Sequence, residues 1–490
     1  MNFENVNIIA KYTHYEITNY KLGMVSQLED MLSIWNERYF RREPYYFYDE
    51  NEEILYVPRG IDPNKLRGFF NQPIQYDNEC NPFTKVTFNM TTQPRDNAQR
   101  ESIRFLMGRD EYAYTYNSSQ LVLSLPGGGG KTYCMVAASS ILGMKEIIVT
   151  HTTTIREQWV QRILEYTNIP KSSIVVLESS SQLDKLMRSH YKELQNHAIY
   201  ITSHSLLRNY MKANGFHALN DLFLKLGIGI KVVDEAHKEF KDILMIDYAT
   251  NVCKNYYLTA TFARGQIAEN IVFQQSFDRL YKLKKDTEDI MGGVKNVVYI
   301  ANFFKSDIPQ IEISSMRARK NFSIYRYIEL EFEYQTIIEL TLKWMSWLYD
   351  KQGMTGKVFV LSPKKETCDE LQRLISAMFP EKTCCSHHSS SKVESFSDYD
   401  IICATAKMLG TGTDIDDLKA VINLEPIGNA VNTDQLIHRL MRGKDTSDAF
   451  FIEVMDKSVP NIVNMYRRRR VTIDKFAKKV IVFDPTIKKK

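Results

Sequence analysis

Short apolar segments that alternate with helical segments constrain this chain of 490 residues most strongly. Between about Gln93 and Ala260 six such segments occur, and they read LVLSL, EIIVT, SIVVL, AIYIT, KVVDE and NYYLTA. Near-continuous apolar strands of this length are typical of a parallel sheet that helices cover on both faces. The alternation therefore predicts an α/β domain built on a parallel sheet.

A second run of the same style follows after a less regular stretch from Phe262 to Phe332, which we interpret as connecting structure plus the opening of another unit. The run contains predicted helices at 334–353, 366–379 and 432–442 and predicted strands at 357–363, 400–406 and 420–426. Before residue 90 the chain is aromatic-rich and broken by prolines, which indicates a small separate module of short strands. We expect an N-terminal accessory domain at 1–90 and two parallel-sheet domains at 91–295 and 296–490.

Composition places few limits on function. The chain has 63 Lys and Arg residues against 59 Asp and Glu residues, and its net charge of +4 is too small to indicate a nucleic-acid partner by itself. The end from Arg467 to Lys490 is strongly basic, and it suits either a DNA contact or a solvated tail. Seven scattered cysteines, no signal peptide and no long apolar span predict a cytoplasmic protein without membrane contact. The CCSHHSS segment lacks the spacing of zinc ligands, and we expect a polar loop there.

The segment LSLPGGGGKTYCMVAASSIL, from Leu123 to Leu142, places four glycines between an apolar strand and a helix. Glycine is costly to order, so a run of four needs a reason. In a phosphate-binding loop, backbone N–H groups surround the β-phosphate, Lys131 reaches the β- and γ-phosphates, and Thr132 binds Mg²⁺. Leu125 stands where the general pattern has a glycine, so a flexible turn is the alternative interpretation of this segment alone.

A pair of carboxylates supports the phosphate-binding interpretation. Asp234 and Glu235 end the apolar strand in GIKVVDEAH. A carboxylate at the end of a strand can hold the Mg²⁺ that Thr132 shares, and a second carboxylate can polarise the water that attacks the phosphate. Tandem acids are common at solvated helix starts, but they are less common after a buried strand downstream of Gly-Lys-Thr. We therefore predict a nucleotide phosphate with Mg²⁺ as a cofactor, Asp234 as a metal ligand and Glu235 as a catalytic residue; the resemblance described next implies that the nucleotide is ATP.

The segments LPGGGGKT, DEAH and LTATF resemble motifs I, II and III of the superfamily 2 helicases. The resemblance spans about Gln93 to Arg470 and implies two tandem RecA-like domains. QPRDNAQRESI resembles the adenine-reading element of this family. For the first domain the resemblance thus implies nucleotide contacts from Arg95, Gln99, Pro126, Gly127, Gly128, Gly129, Gly130, Lys131 and Thr132. It implies that ATP hydrolysis is coupled to movement through His237, Thr259 and Thr261.

Other segments resemble the motifs that contact nucleic acid or complete the ATP site. EIIVTHTTTIREQW and YITSHSLL resemble two backbone-contacting motifs, and the implied nucleic-acid residues are Thr152, Thr153, Ser203, His204 and, in the second domain, Thr405. The Thr-rich turn is equally suited to helix capping, with Thr154 as one candidate. LGTGTDIDDL and QLIHRLMRGKD resemble motifs V and VI. They imply Gly412 and Asp414 near the nucleotide, and one helix face with Gln435, Arg439 and Arg442 directed at the γ-phosphate.

The forms of motifs Ia, III and VI are more similar to the XPB and phage UvsW branch than to the DEAD-box RNA helicases. This resemblance implies an ATP-dependent DNA helicase or translocase of phage or large-DNA-virus type that acts on single-stranded, duplex or branched DNA. The implied setting is recombination, replication-fork repair or branch migration, as a monomeric motor that meets replication or recombination proteins. Two alternatives stay open: an RNA helicase or transcript-release factor, and a nucleic-acid clamp with little unwinding activity.

Overall fold

Two sheets of seven parallel strands each form the framework of the described chain in a computed structural model. The described residues are 6–20, 22–36, 40–108, 119–126, 128–260, 262, 267–285, 296–315, 317–318, 321–333, 336–391, 393, 396–405, 417–426, 430–441 and 447–484. The chain divides into two compact units, Met1–Asp286 and Thr287–Lys490, and each holds one of these sheets. The predicted fold class, two tandem RecA-like α/β domains with a small N-terminal accessory domain, is confirmed. The predicted boundaries near residues 90 and 295 remain a prediction.

The first unit begins with a small mixed sheet, as the proline-broken aromatic sequence predicts. Its elements are β1 (Asn7–Ala10), β2 (His14–Thr18), a 3₁₀ turn (Leu22–Met24), α1 (Ser26–Leu32), β3 (Ser33–Asn36), β4 (Arg41–Pro44), β5 (Phe47–Asp49), β6 (Ile54–Pro58), α2 (Pro63–Phe70) and β7 (Ile74–Tyr76). The sheet order is β5-β6-β2-β1-β7, and β1 and β7 are its parallel pair. Strands β3 and β4 form a separate antiparallel hairpin.

The first parallel sheet has the order β10-β11-β9-β12-β13-β8-β14. Its strands and helices are α3 (Asn97–Leu106), β8 (Gln120–Ser124), α4 (Lys131–Leu142), β9 (Glu146–Thr150), α5 (Thr153–Tyr166), a 3₁₀ turn (Lys171–Ser173), β10 (Ile174–Val176), α6 (Ser180–Arg188), α7 (Tyr191–Leu194), β11 (Ile199–Ser203), α8 (His204–Asn214), α9 (Ala218–Leu226), β12 (Ile230–Asp234), α10 (Phe240–Tyr248), β13 (Lys254–Thr259), α11 (Ile267–Ser276) and β14 (Tyr281–Lys284). Each of the six predicted strands is found within one residue of its predicted ends, because continuous burial on both faces leaves a clear apolar signal.

A buried polar network joins the N-terminal module to this sheet. Gln120, at the start of β8, donates from Nε2 to the carbonyl of Thr13 at 3.0 Å and to the hydroxyl of Tyr257 at 3.2 Å. The Tyr257 hydroxyl donates to Asp247 at 2.7 Å, and Asp247 forms an ion pair with Lys231 of β12. The Lys231 side chain is fully buried, so its charge depends on this partner. The module therefore docks at the amino ends of β8 and β12.

The second unit repeats the parallel architecture. Its elements are β15 (Asn296–Phe304), α12 (Gln310–Ser315), β16 (Arg317–Ala318), β17 (Asn321–Phe322), α13 (Ile324–Glu333), α14 (Thr336–Ser346), a π-helical turn (Trp347–Lys351), β18 (Lys357–Ser362), α15 (Lys365–Met378), β19 (Cys384–His387), β20 (Ile401–Thr405), β21 (Leu418–Asn423), α16 (Ala430–Leu440), β22 (Asp448–Asp456), α17 (Pro460–Phe476) and β23 (Lys479–Phe483). The sheet order is β19-β20-β18-β21-β22-β15-β23, and every described pairing in it is parallel.

One local interpretation of the sequence is incomplete and one is wrong. The stretch from Phe262 to Phe332 does contain the opening of the second unit, the nine-residue strand β15, but it also contains β14, the edge strand of the first sheet. The CCSHHSS segment is not a polar loop, since its first four residues form strand β19. Within this strand Cys385 and His387 are buried while Cys384 and Ser386 are partly exposed. This alternation is the period-two pattern of an edge strand, and polar residue types concealed it.

The described part of the basic end forms a helix and then the edge strand of the second sheet. Residues 460–476 form α17, and β23 pairs with β15 in the sheet. Arg469 is 1% exposed and forms an ion pair with Glu453 of β22 at 2.6 Å, where the Glu453 side chain is 2% exposed. Its guanidinium also donates to the Thr433 hydroxyl of α16 at 2.9 Å. One arginine of the RRRR run is thus a structural core residue rather than a solvated or DNA-binding one, whereas Arg467 and Arg468 are exposed.

Loss of the Arg469 cation should destabilise the second unit. In Arg469→Met the carboxylate of Glu453 stays buried without its ion-pair partner, and we expect the free energy of unfolding to fall by about 3–5 kcal/mol. Urea unfolding of the full chain, followed by tryptophan fluorescence, measures this change. The exposed neighbour provides the control, since Arg468→Met should cost less than about 0.5 kcal/mol. Equal stability of the two variants would contradict the structural role.

Candidate nucleotide-binding and nucleic-acid site

The carboxyl ends of β8, β13 and β12 meet at one edge of the first sheet. The parallel register pairs Ser124 with Thr259 and pairs Asp234 with Leu258. The glycine loop leaves the sheet after β8, and the Asp-Glu pair closes β12. The structure therefore brings the residues of predicted motifs I, II and III to the same edge, which is where open α/β sheets bind ligands.

The glycine loop has a backbone that only glycine adopts easily. Gly128 and Gly130 have φ angles of +77° and +83°, in the left-handed region. A Cβ atom on Gly130 would also overlap Nε2 of Gln99. Lys131 opens α4 and donates from Nζ to the carbonyl of Leu125 at 3.0 Å. The left-handed backbone of Gly130 therefore favours glycine, and any larger residue there would also displace the Gln99 side chain.

The predicted adenine-reading element lies against this loop. The Arg95 guanidinium donates to the carbonyl of Gly128 at 3.0 Å, and the Arg95 backbone N–H donates to Oε1 of Gln99 at 2.9 Å. Asp96 caps α3 by accepting the backbone N–H of Gln99 at 2.8 Å. Gln99 is buried beside Gly130. The structure thus brings Arg95 and Gln99 to the loop although their segment lies about 30 residues upstream.

Other predicted nucleotide contacts belong to the same loop. Pro126 is buried and its carbonyl accepts the backbone N–H of Gly129 at 3.0 Å. Thr132 is the second residue of α4 and is partly exposed. Gly127 lies outside the described residues. The described residues of the loop lead into the N-terminus of a twelve-residue helix, whose positive end favours an anion.

Asp234 is held by two donors at the end of β12. Its carboxylate accepts the backbone N–H of Glu235 at 2.9 Å and the indole N–H of Trp159 at 2.9 Å. Burial and the neighbouring Glu235 carboxylate raise the pKa of Asp234 to about 6, while the Trp159 bond and the Lys131 cation act in the opposite direction. A cation near this carboxylate therefore favours its ionised form, as a metal ligand requires.

Glu235 has an unfavourable backbone conformation next to the end of β12. Its φ of +52° lies in the left-handed region, which is unfavourable for a residue with a Cβ by about 1–2 kcal/mol. The residue is 9% exposed, and within the described chain its Oε2 makes no hydrogen bond. That oxygen lies 3.3 Å from Nδ1 of His237. A buried, strained carboxylate with an unused acceptor is suited to act on a bound reactant.

A chain of contacts leads from Glu235 back to the glycine loop. Nδ1 of His237 shares a hydrogen bond of 2.8 Å with the Thr259 hydroxyl, and the carbonyl of Thr259 accepts the backbone N–H of Leu125 at 3.1 Å. His237 and Thr259, two of the predicted coupling residues, are therefore adjacent. The third, Thr261, lies outside the described residues.

Two of the four predicted nucleic-acid residues of the first unit cap helices at the same edge. Thr152 caps α5 and Ser203 caps α8, each by accepting the backbone N–H three residues further on. The capping alternative thus applies to Thr152. Thr153 is exposed, whereas His204 is 1% exposed and burial lowers its pKa to about 3. Contact with a nucleic-acid backbone is therefore available to Thr152, Thr153 and Ser203 and not to the buried ring of His204.

In the second unit the structure describes three of the predicted site residues. Gln435 and Arg439 lie one turn apart on α16, which Arg469 holds through Thr433. Thr405 is the last residue of β20 and is partly exposed. Gly412, Asp414 and Arg442 lie outside the described residues.

Trp159 is a site residue that the sequence motifs do not identify. Ile155, Trp159 and Ile163 recur at four-residue spacing along α5 and are all buried. This spacing predicts a core face, and it gives no sign that the indole N–H reaches the Asp234 carboxylate. The residue connects the helix after the Thr-rich turn to the candidate metal ligand.

Two protein-family models match the chain in tandem. The model for the res subunit of type III restriction enzymes matches residues 92–264, and the model for the helicase conserved C-terminal domain matches residues 335–444. The chain belongs to the superfamily 2 helicases. The two matches cover more than half of this helicase and contain the motifs described above. Helicases of this family bind nucleic acid and use ATP, typically with Mg²⁺.

Two solved structures align with much of the chain at low sequence identity. T4 UvsW aligns over 98% of this chain and 99% of its own, with 13% identity and a TM-score of 0.39. The Hef helicase domain of Pyrococcus furiosus aligns over 77% of this chain and 98% of its own, with 14% identity and a TM-score of 0.45. No curated protein sequence matches significantly. No helix within the described ranges has the length and apolar character needed to span a membrane.

Replacing Trp159 should weaken Mg²⁺-dependent nucleotide binding. Phe fills most of the indole volume but donates no hydrogen bond, so the pKa of Asp234 should rise further and protons should compete better with the metal. We expect Trp159→Phe to lower the apparent Mg²⁺ affinity by about 10-fold or more, with a deficit that shrinks as the pH is raised. Titration of Mg²⁺ against a fluorescent ATP analogue measures it.

The second unit offers a matched substitution, because Trp344 is buried in its core. Trp344→Phe should leave the Mg²⁺ dependence unchanged. A deficit of the same size in both variants, or one that is independent of pH, would contradict the role of the Trp159 hydrogen bond.

Proposed function

We propose that this helicase is an ATP-dependent DNA helicase or translocase that acts on duplex or branched DNA in recombination, replication-fork repair or branch migration. The observation that carries the proposal is the arrangement at one sheet edge. There Lys131 and Glu235 flank Asp234 closely enough to influence its pKa, and Glu235 connects through His237 to Thr259.

The residues at this edge fit a nucleotide with Mg²⁺. The left-handed glycines and the start of α4 offer backbone N–H groups, while Lys131 offers a cation. Asp234 and the Thr132 hydroxyl would hold the metal, and the buried Oε2 of Glu235 has acceptor capacity to spare. When bound, Mg²⁺-ATP supplies the phosphoryl group and the charge neutralisation on which its transfer depends.

Each residue then has a defined task. Glu235 accepts the proton of the attacking water, and its burial protects the reaction from bulk solvent. Lys131 stabilises negative charge on the transferred group. His237 is within reach of both Glu235 and the Thr259 hydroxyl, so a change in the charge or position of Glu235 alters the His237–Thr259 bond. We assign this contact the role of transmitting hydrolysis to the sheet.

The remaining predicted roles belong to the same proposal. Gln435, Arg439 and Arg442 act on the γ-phosphate, and Gly412 and Asp414 contact the nucleotide. Thr152, Thr153, Ser203 and Thr405 contact the nucleic-acid backbone, where hydroxyls and helix N-termini are suitable donors without sequence preference. We place the activity in the cytoplasm, in line with the seven free cysteines of the chain. We also propose that the motor is monomeric.

The choice of nucleic acid is testable by stimulation of ATP hydrolysis. We expect forked and duplex DNA to raise the turnover rate at least about 10-fold over the rate without nucleic acid, and RNA of matched sequence to raise it much less. Strand separation on a fork, a Holliday junction and a D-loop then identifies the preferred junction. Lys131→Ala, which removes the phosphate-binding cation, should abolish turnover on every substrate.

Two outcomes would redirect the proposal. Stronger stimulation by RNA than by DNA would favour an RNA helicase or transcript-release factor. Nucleic-acid binding without turnover in the parent protein would favour a clamp.

A further inference from the structure

Three potential metal ligands converge where the N-terminal module meets the first parallel-sheet domain. Asp49 ends β5, Glu52 lies in the turn before β6, and His217 directly precedes α9. Their nearest ligand atoms all lie within 4.8 Å of one another. None of the three residues belongs to a motif assigned above, and no proposed step of ATP hydrolysis uses them.

Both carboxylates face the same ring nitrogen. Nε2 of His217 lies 3.2 Å from Oδ2 of Asp49 and 3.3 Å from Oε1 of Glu52. A ring nitrogen carries at most one proton, so it donates one linear hydrogen bond and cannot serve two carboxylates equally. The 3.2 Å contact with Asp49 is an ordinary hydrogen bond, and the 3.3 Å contact with Glu52 is an ion pair. A proton on Nε2 therefore serves Asp49 and leaves Glu52 without a linear hydrogen bond to the ring.

A metal ion explains this arrangement better. Zinc binds imidazole nitrogen and carboxylate oxygen at about 2.0–2.1 Å in a tetrahedral shell, which separates neighbouring ligand atoms by about 3.3 Å. The two observed separations match that value. One imidazole and two carboxylates form a three-ligand set that leaves the fourth position to water.

The burial of Asp49 is an independent indication. Its side chain is 6% exposed, and its Oδ1 accepts the backbone N–H of Asn51 at 2.9 Å. Among the described residues, His217 is the only hydrogen-bond partner of Asp49 Oδ2. A buried carboxylate oxygen directed at the open side of a histidine and a second carboxylate is costly without a cation between them.

We propose that Asp49, Glu52 and His217 bind a divalent transition-metal ion, with Zn²⁺ as the best-suited ion. Bound there, the ion joins the β5–β6 turn of the N-terminal module to the start of α9. Phe47 and Phe216 pack at a ring distance of 4.5 Å beside the same contact, so the metal adds to an existing apolar junction. Its function is structural: it fixes the module on the domain that carries the glycine loop.

Metal titration of the untagged, chelator-treated full chain tests the proposal. With Mg²⁺ present to occupy hard-ligand sites, we expect one equivalent of Co²⁺ to give the visible absorption of tetrahedral coordination, Zn²⁺ to displace it, and Zn²⁺ to raise the temperature of unfolding. His217→Ala and Glu52→Gln should each weaken binding at least about 10-fold. Both side chains are about half exposed, so the variants should fold.

Exposed His190 provides the matched control, and His190→Ala should bind Co²⁺ like the parent. Absence of saturable Co²⁺ absorption in the parent would overturn the proposal. Equal binding by His217→Ala and the parent would overturn it as well, as would an unfolding temperature that depends on His217 without any response to Zn²⁺. Because ATP is absent from these titrations, their failure leaves the proposed motor activity untouched.

Discussion

The parallel register of β8, β13 and β12 is the constraint on which the candidate ATP site depends. Ser124 pairs with Thr259 and Asp234 pairs with Leu258, so three segments widely separated in sequence end at one level. This backbone register alone brings together the glycine loop, Thr259 and the Asp-Glu pair. A slip of one residue in β12 would reverse the faces of its side chains and move Asp234 away from the loop.

The opposite ends of the same strands carry the N-terminal module. Gln120 and Lys231 lie near the amino ends of β8 and β12, and they join Thr13 and Asp247 in a network without direct exposure to solvent. Such a network is stable only when its members are all present, because each unpaired polar group would be buried at a cost. The module is therefore part of the framework that holds the site-bearing strands, and the proposed metal cluster at Asp49 and His217 would strengthen the same junction.

The sequence predicts much of this arrangement because parallel sheets leave a strong signal. All six strands of the first sheet that were expected from apolar runs are found, and the convergence of Lys131, Asp234 and Glu235 follows from strand ends alone. Side-chain contacts do not follow in this way. The packing of helices against the sheet determines three such contacts: the Trp159 bond to Asp234, the burial of His204 and the internal ion pair of Arg469. Residue type does not indicate any of them. The sequence gives no clear signal for strand β19, because its alternation uses cysteine, serine and histidine.

Glu235 is the proposed base for ATP hydrolysis, and one substitution tests this role most directly. Glu235→Gln keeps the shape of the side chain and leaves Asp234 and Lys131 in place. We predict that it retains ATP binding while DNA-stimulated hydrolysis falls by at least about 100-fold, as expected for loss of a general base. Glu157→Gln, an exposed change on α5, should retain full turnover. Undiminished hydrolysis by Glu235→Gln would contradict the account.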